Sequence, residues 1–255
     1  MNHSIFITIG IAFILFSIPQ HSQAQDKSDV KTDQEILEEY ERWSGMRDDW
    51  PNLSNYREAN QQLGLPEEGE DRVVFMGNSI TIGWSNLYPE YFEGKPYVNR
   101  GIGGQTTPQM LNRFRQDVID LQPKLVVILA GTNDIAGNTG PATDKMILDN
   151  ISSMAELAQA HDIDVILSSI LPVYNYPWKP GLEPAERIIT LNKKIRAYAE
   201  EHDLYYLDYF SSVADERDGM KKELASDGVH PNENGYKIMS ELAEEAIQKV
   251  LGNKE

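Results

Sequence analysis

From Arg72 onward the chain alternates short apolar runs with longer amphipathic stretches, and this alternation restricts the fold more than any other feature. Residues 73–76, 97–99, 125–129, 165–169 and 205–208 are apolar and only three to five residues long, which suits strands rather than helices. Residues 107–121, 143–161, 184–202 and 233–251 carry apolar side chains at helical spacing, as with Ile238, Leu242, Ala246 and Val250. Strands separated by helices do not form hairpins. They pair in parallel, and the helices cover both faces of the sheet.

Such a sheet has one edge where ligands bind, outside the carboxyl ends of its strands. The chain places its most reactive residues there. Ser79, within Phe75-Met-Gly-Asn-Ser-Ile-Thr81, follows the first strand, and Gly104, within residues 99–107, follows the second. Asn133, in Ala130-Gly-Thr-Asn-Asp134, follows the third. Asp227 and His230, in Ser226-Asp-Gly-Val-His-Pro231, follow the fifth. A neutral serine hydroxyl is a poor nucleophile. It needs a histidine to take its proton and an acid to fix that histidine's tautomer. One Asp-x-x-His turn supplies both from a single loop.

These four blocks, in this order, resemble the SGNH hydrolases, also called the GDSL esterase/lipase family. The letters Ser, Gly, Asn and His fall on Ser79, Gly104, Asn133 and His230, and the resemblance covers roughly residues 73–250. It implies a flavodoxin-like α/β fold, a three-layer α/β/α sandwich around a five-stranded parallel sheet. It also implies a serine esterase with Ser79 as nucleophile, His230 as general base and Asp227 as the orienting acid, the least demanding member of the triad. The oxyanion hole would be built from the N–H groups of Ser79 and Gly104 and the side-chain amide of Asn133. Two positions depart from the common spelling of the family: Asn78 stands before the nucleophile and Gln105 after Gly104, both where Asp is usual. Neither makes or breaks a bond in the reaction.

Asp134 reads as a hydrogen-bonding partner within its own loop, not as the triad acid. His161 and His202 each sit at an expected helix end before a strand, where a cationic side chain suits the helix dipole, and take no catalytic role. Tyr174, Tyr176 and Trp178, in the loop after the fourth strand, are candidate substrate contacts; a stiff loop packed on the domain is the alternative. The sequence has no metal-ligand spacing, phosphate loop or cofactor fingerprint, so neither a metal nor a cofactor is expected. The expected substrate is a small-molecule or glycan ester carrying a short acyl group, with an O-acetyl carbohydrate first. The rivals are a lysophospholipase or thioesterase, and a catalytically silent glycan-binding module of the same fold.

The net charge of −17, from 40 acidic and 23 basic residues, argues against nucleic acid as a partner. Residues 1–24 read as a signal peptide: the apolar run from Ile5 to Ile18 is shorter than the roughly 20 residues a bilayer span needs. Ser22-Gln-Ala24 then offers a cleavage site before Gln25, although no Lys or Arg precedes the run. A secreted or periplasmic protein without stable membrane insertion after cleavage is expected. The sequence contains no cysteine, so disulfides and a lipid-modified cysteine are excluded. Residues 25–72 read as a linker and a helical extension, opened by a capping box at Thr32–Glu35, with Ile36, Leu37, Tyr40, Trp43 and Arg47 on one helical face. Residues 73–255 form the hydrolase domain.

Overall fold

The structure, a computed structural model, describes residues 32–252; the expected signal peptide and most of the linker lie outside the described residues. By its contacts the chain divides into residues 1–42 and a compact unit of residues 43–255. Helix α1 (Asp33–Asp48) opens with the expected capping box: the Thr32 N–H donates to Glu35 Oε2 at 2.7 Å and the Glu35 N–H donates back to Thr32 Oγ1 at 3.3 Å. Helix α2 (Arg57–Leu63) follows.

The sheet contains β1 (Val73–Gly77), β2 (Tyr97–Gly101), β3 (Leu125–Leu129), β4 (Asp164–Ser168) and β5 (Tyr205–Leu207). All pairings are parallel, in the order β2-β1-β3-β4-β5. This is the flavodoxin-like order, with its switch point between β1 and β3. Every residue of β1 and β3 is buried, which accounts for apolar runs without polar alternation, whereas the edge strands β2 and β5 are partly exposed.

The long helices α4 (Thr107–Asp117), α6 (Asp144–Gln159), α7 (Ala185–Glu201) and α9 (Glu233–Gly252) lie near the bounds expected from periodicity. Helix α4 stops earlier than expected, at Asp117, and a short 3₁₀ turn (Ile119–Leu121) completes the segment. Three shorter helices had no sequence signal: α3 (Ser79–Leu87), α5 (Thr132–Ala136) and α8 (Phe210–Val213). Two apolar clusters sandwich the sheet. One packs Met110, Phe114, Ile151, Met154 and Leu191 from α4, α6 and α7 against Val74 and Val126. The other packs Trp84, Tyr236, Met239 and Ile247 from α3 and α9 against Val73, Phe75 and Val127. No helix among the described residues is long and apolar enough to cross a membrane.

Candidate active site

Gly77 ends β1, and a Cβ there would collide with the Thr81 hydroxyl and approach the Leu129 carbonyl to 3.0 Å, so only glycine lets the chain turn this closely into α3. Asn78 caps that helix, its Oδ1 accepting the Ile80 N–H at 3.0 Å. The cap uses the second helical N–H and leaves the first, that of Ser79, without an intrahelical partner. Ser79 is half-buried at the carboxyl edge of the sheet.

The Asp227–His230 turn closes over it. Gly228 takes φ +77°, a left-handed conformation that favours glycine, and the reversal lets one carboxylate oxygen of Asp227 accept two backbone N–H groups. These come from Val229 at 2.9 Å and His230 at 2.8 Å. The other oxygen lies 2.6 Å from His230 Nδ1, and His230 Nε2 lies 2.9 Å from Ser79 Oγ. Burial acts to raise the Asp227 pKa, but the imidazole and the two N–H donors outweigh it and hold the carboxyl below the ordinary carboxylate range. An ionised Asp227 accepts Nδ1–H and leaves Nε2 free to receive a proton from Ser79.

The Asp227–His230 loop and helix α3 are tied together behind the site. Helix α9 begins three residues after His230, its Tyr236 hydroxyl donates to the Ile80 carbonyl at 2.8 Å, and Trp84 Nε1–H donates to Ser240 Oγ at 3.0 Å. Trp84 stacks on Tyr236 with centroids 5.7 Å apart. The Ser–His spacing is thus backed by a buried aromatic wall.

Gly104 and Asn133 converge on the same edge. Gly104 takes φ +75°, and its N–H makes no hydrogen bond among the described residues, while its carbonyl accepts the Asn138 amide at 3.1 Å. Asn133 is buried, and one N–H of its amide donates to the Gln105 carbonyl at 2.9 Å, leaving the second free for a ligand. Asn138 is a part of this loop that the sequence did not single out; an asparagine in a Gly-Asn-Thr-Gly stretch carries no signal beyond a turn.

Asp134 corrects its expected role in one respect. It is not confined to its own loop but reaches the start of α4, where both oxygens accept the Thr107 N–H at 3.0 Å and Oδ1 accepts the Thr107 hydroxyl at 2.6 Å. Burial raises its pKa to about 6, against the lowering effect of the Thr107 hydrogen bonds. The folded protein therefore holds this proton more tightly than the unfolded chain, so the contribution of Asp134 to stability is greatest at acid pH and is lost as pH rises from about 4 to about 6. Urea unfolding of wild type and Asp134→Asn across pH 4–7 is expected to show the wild type's relative advantage shrinking over that window. A pH-independent difference would show that Asp134 does not titrate there.

His161 and His202 lie just beyond the C-termini of α6 and α7. Each places Nδ1 2.8 Å from the carbonyl four residues back, Leu157 and Tyr198 respectively, which is a helix-end contact.

Of the three candidate aromatic contacts, Trp178 is exposed and its ring lies 6.0 Å from that of His230. Tyr174 is exposed, with the Arg217 guanidinium 4.8 Å above its ring. Tyr176 departs from expectation: its side chain is fully buried, and its hydroxyl bonds the Thr132 carbonyl at 3.0 Å and lies 2.8 Å from Thr132 Oγ1. It anchors the loop beneath Trp178, with ring centroids 5.2 Å apart, and presents nothing to a substrate.

Residues 75–238 match the GDSL-like lipase/acylhydrolase family. The crystal structure of a GDSL-like lipase from Bacteroides thetaiotaomicron VPI-5482 is 44% identical, with a TM-score of 0.77 over 78% of this chain and 98% of that one. An uncharacterized lipoprotein, YqeF, of Bacillus subtilis is 28% identical over 62% of this chain. An acetylxylan esterase of Xylanibacter ruminicola is 25% identical over 74% of this chain. The matches span 64% of the first of these two proteins and 45% of the second.

Proposed function

Since the chain belongs to the GDSL-like lipase/acylhydrolase family, and with it to the carboxylic ester hydrolases, we propose that Ser79, His230 and Asp227 form its catalytic triad and that it removes short acyl groups, O-acetyl groups of carbohydrates above all. The observation that carries this reading is the unbroken hydrogen-bonded line from Ser79 Oγ through His230 to Asp227, at the sheet edge whose loops also carry Gly104 and Asn133.

In this mechanism His230 Nε2 takes the hydroxyl proton as Ser79 Oγ attacks the ester carbonyl. The negative charge that develops on the carbonyl oxygen meets the N–H groups of Ser79 and Gly104 and the free N–H of Asn133. Protonated His230, its charge stabilised by Asp227, then gives the proton to the departing alcohol. Water, activated by the same histidine, releases the acid and restores Ser79.

Two observations favour a short acyl group on a sugar. Trp178 offers an exposed aromatic face beside His230, suited to stacking on a carbohydrate ring. The similar Xylanibacter ruminicola protein is an acetylxylan esterase. Export through the apolar segment at residues 5–18 belongs to the same reading, and the N-terminal mass of the mature protein tests it.

The substrate reading is tested by kcat/KM across p-nitrophenyl esters from acetyl to decanoyl. Acetyl and propionyl esters are expected to be cleaved best. An apolar acyl channel would add about 0.8 kcal/mol of binding per buried methylene, so specificity would climb with length. A maximum at eight carbons or beyond would replace the acetylesterase reading with a lipase or thioesterase.

A further inference from the structure

Arg113 is a fully buried cation on α4 that the proposed mechanism does not use. Burying a guanidinium is costly, and an apolar side chain would fill the same volume more cheaply. Its contacts indicate what it holds. Nε donates to Gln105 Oε1 at 2.6 Å, Nη1 to Asp117 Oδ2 at 3.0 Å, and Nη2 to the carbonyls of Gly77 and Arg100, both at 2.9 Å. Gly77 lies two residues before Ser79, and Gln105 directly follows Gly104. The planar fork therefore fixes the end of β1, the end of β2 and the loop after β2 relative to one another, a geometry lysine cannot reproduce.

Gln105 carries the connection onward. It is buried, and besides accepting from Arg113 its amide donates to the Pro51 carbonyl at 2.8 Å. Its own carbonyl accepts the Asn133 amide at 2.9 Å. One residue is thus peptide-bonded to one proposed oxyanion donor and hydrogen-bonded to another. The length of glutamine matters: from its place in the loop after β2 the side chain reaches Arg113 Nε at 2.6 Å, and a side chain shorter by a methylene would fall short of it.

We infer that Arg113 and Gln105 are positioning residues, a buried clamp that sets the turn bearing Ser79 against the oxyanion donors Gly104 and Asn133. The inference rests on the triad reading given above. Small errors in donor placement are costly, since a displacement of about 1 Å can lose about 100-fold in rate.

The test is kcat and KM for p-nitrophenyl acetate, per active site titrated with a fluorophosphonate, well below the thermal midpoint of each variant. Gln105→Asn keeps the amide but shortens its reach. It is expected to lower kcat tenfold or more with KM within threefold of wild type. Gln105→Glu keeps the length and the acceptor for Arg113 and gives up only the donor to Pro51, a contact outside the clamp, so it is expected to stay within threefold in kcat. A smaller loss in Gln105→Asn, a loss carried by KM, or an equal fall in Gln105→Glu would overturn the inference. If Gln105→Asn does not fold, Gln105→Ser, which leaves room for a water to serve Arg113, is held to the same limits. Failure of both to fold would make Gln105 a stabilising group and overturn its positioning role. Ser79→Ala, which the fluorophosphonate cannot titrate, is run in parallel per mole of folded protein: activity surviving there defeats the triad reading, whereas an inactive Ser79→Ala beside an unimpaired Gln105→Asn defeats the clamp alone.

Discussion

Ser79→Ala is expected to lower kcat for p-nitrophenyl acetate by about a million-fold while leaving the thermal midpoint close to wild type. The magnitude follows from what the hydroxyl does. In the proposed mechanism it is the atom that bonds to the carbonyl, and removing such a nucleophile costs about as much as removing the whole triad; the remainder, about 1,000- to 10,000-fold over water, comes from the oxyanion donors and substrate binding. The small effect on stability follows from the surroundings. Ser79 is half-buried, its side chain makes one hydrogen bond among the described residues, to His230, and helix α3 is capped by Asn78. Alanine also suits the first turn of a helix. Turnover like that of wild type in a folded Ser79→Ala protein would remove Ser79 from the mechanism.

What the sequence reveals depends on how local its cause is. The central strands are legible because β1 and β3 are buried on both faces and must be apolar throughout. The proposed triad is legible because its chemistry demands particular residue types, and because parallel strands send all their following loops to one edge. Helices α3 and α5 are not legible. They are short, and their residues are chosen by the site: α5 is preceded by Gly131 at φ +119°, where a Cβ would press on Ile170, and its five residues include Asn133 and Asp134.

The clamp is hidden for a different reason. Arg113 and Asp117 stand four residues apart on an amphipathic helix, which ordinarily marks an exposed ion pair, yet both are fully buried. Arg113 is held by Gly77, Arg100 and Gln105, all outside the helix, and Asp117 also accepts the Asn60 amide at 2.8 Å. Tyr176 misleads similarly. An aromatic in a loop over the site has the composition of a substrate contact, and only the Thr132 hydrogen bonds turn it inward.

His230→Ala is expected to lose nearly as much activity as Ser79→Ala, about a million-fold in kcat, and Asp227→Asn less, about ten-thousand-fold. In the proposed mechanism histidine moves the proton in both halves of the reaction, whereas the acid orients it and stabilises its charge. The geometry explains why the Asp227→Asn loss is still large. Asp227 Oδ1 accepts the N–H groups of Val229 and His230, so in the variant the amide oxygen is retained at that position and the NH₂ faces His230 Nδ1. An NH₂ there donates, so Nδ1 must accept and the ring proton moves to Nε2. The imidazole then points a donor at Ser79 Oγ, 2.9 Å away, and cannot take its proton. Asp227→Ala lacks this opposing donor, but it also loses the contact that orients the ring. Measuring kcat for Asp227→Asn and His230→Ala at neutral pH decides the weighting. A larger loss in Asp227→Asn than in His230→Ala would mean that the carboxylate, not the imidazole, carries the proton-transfer step.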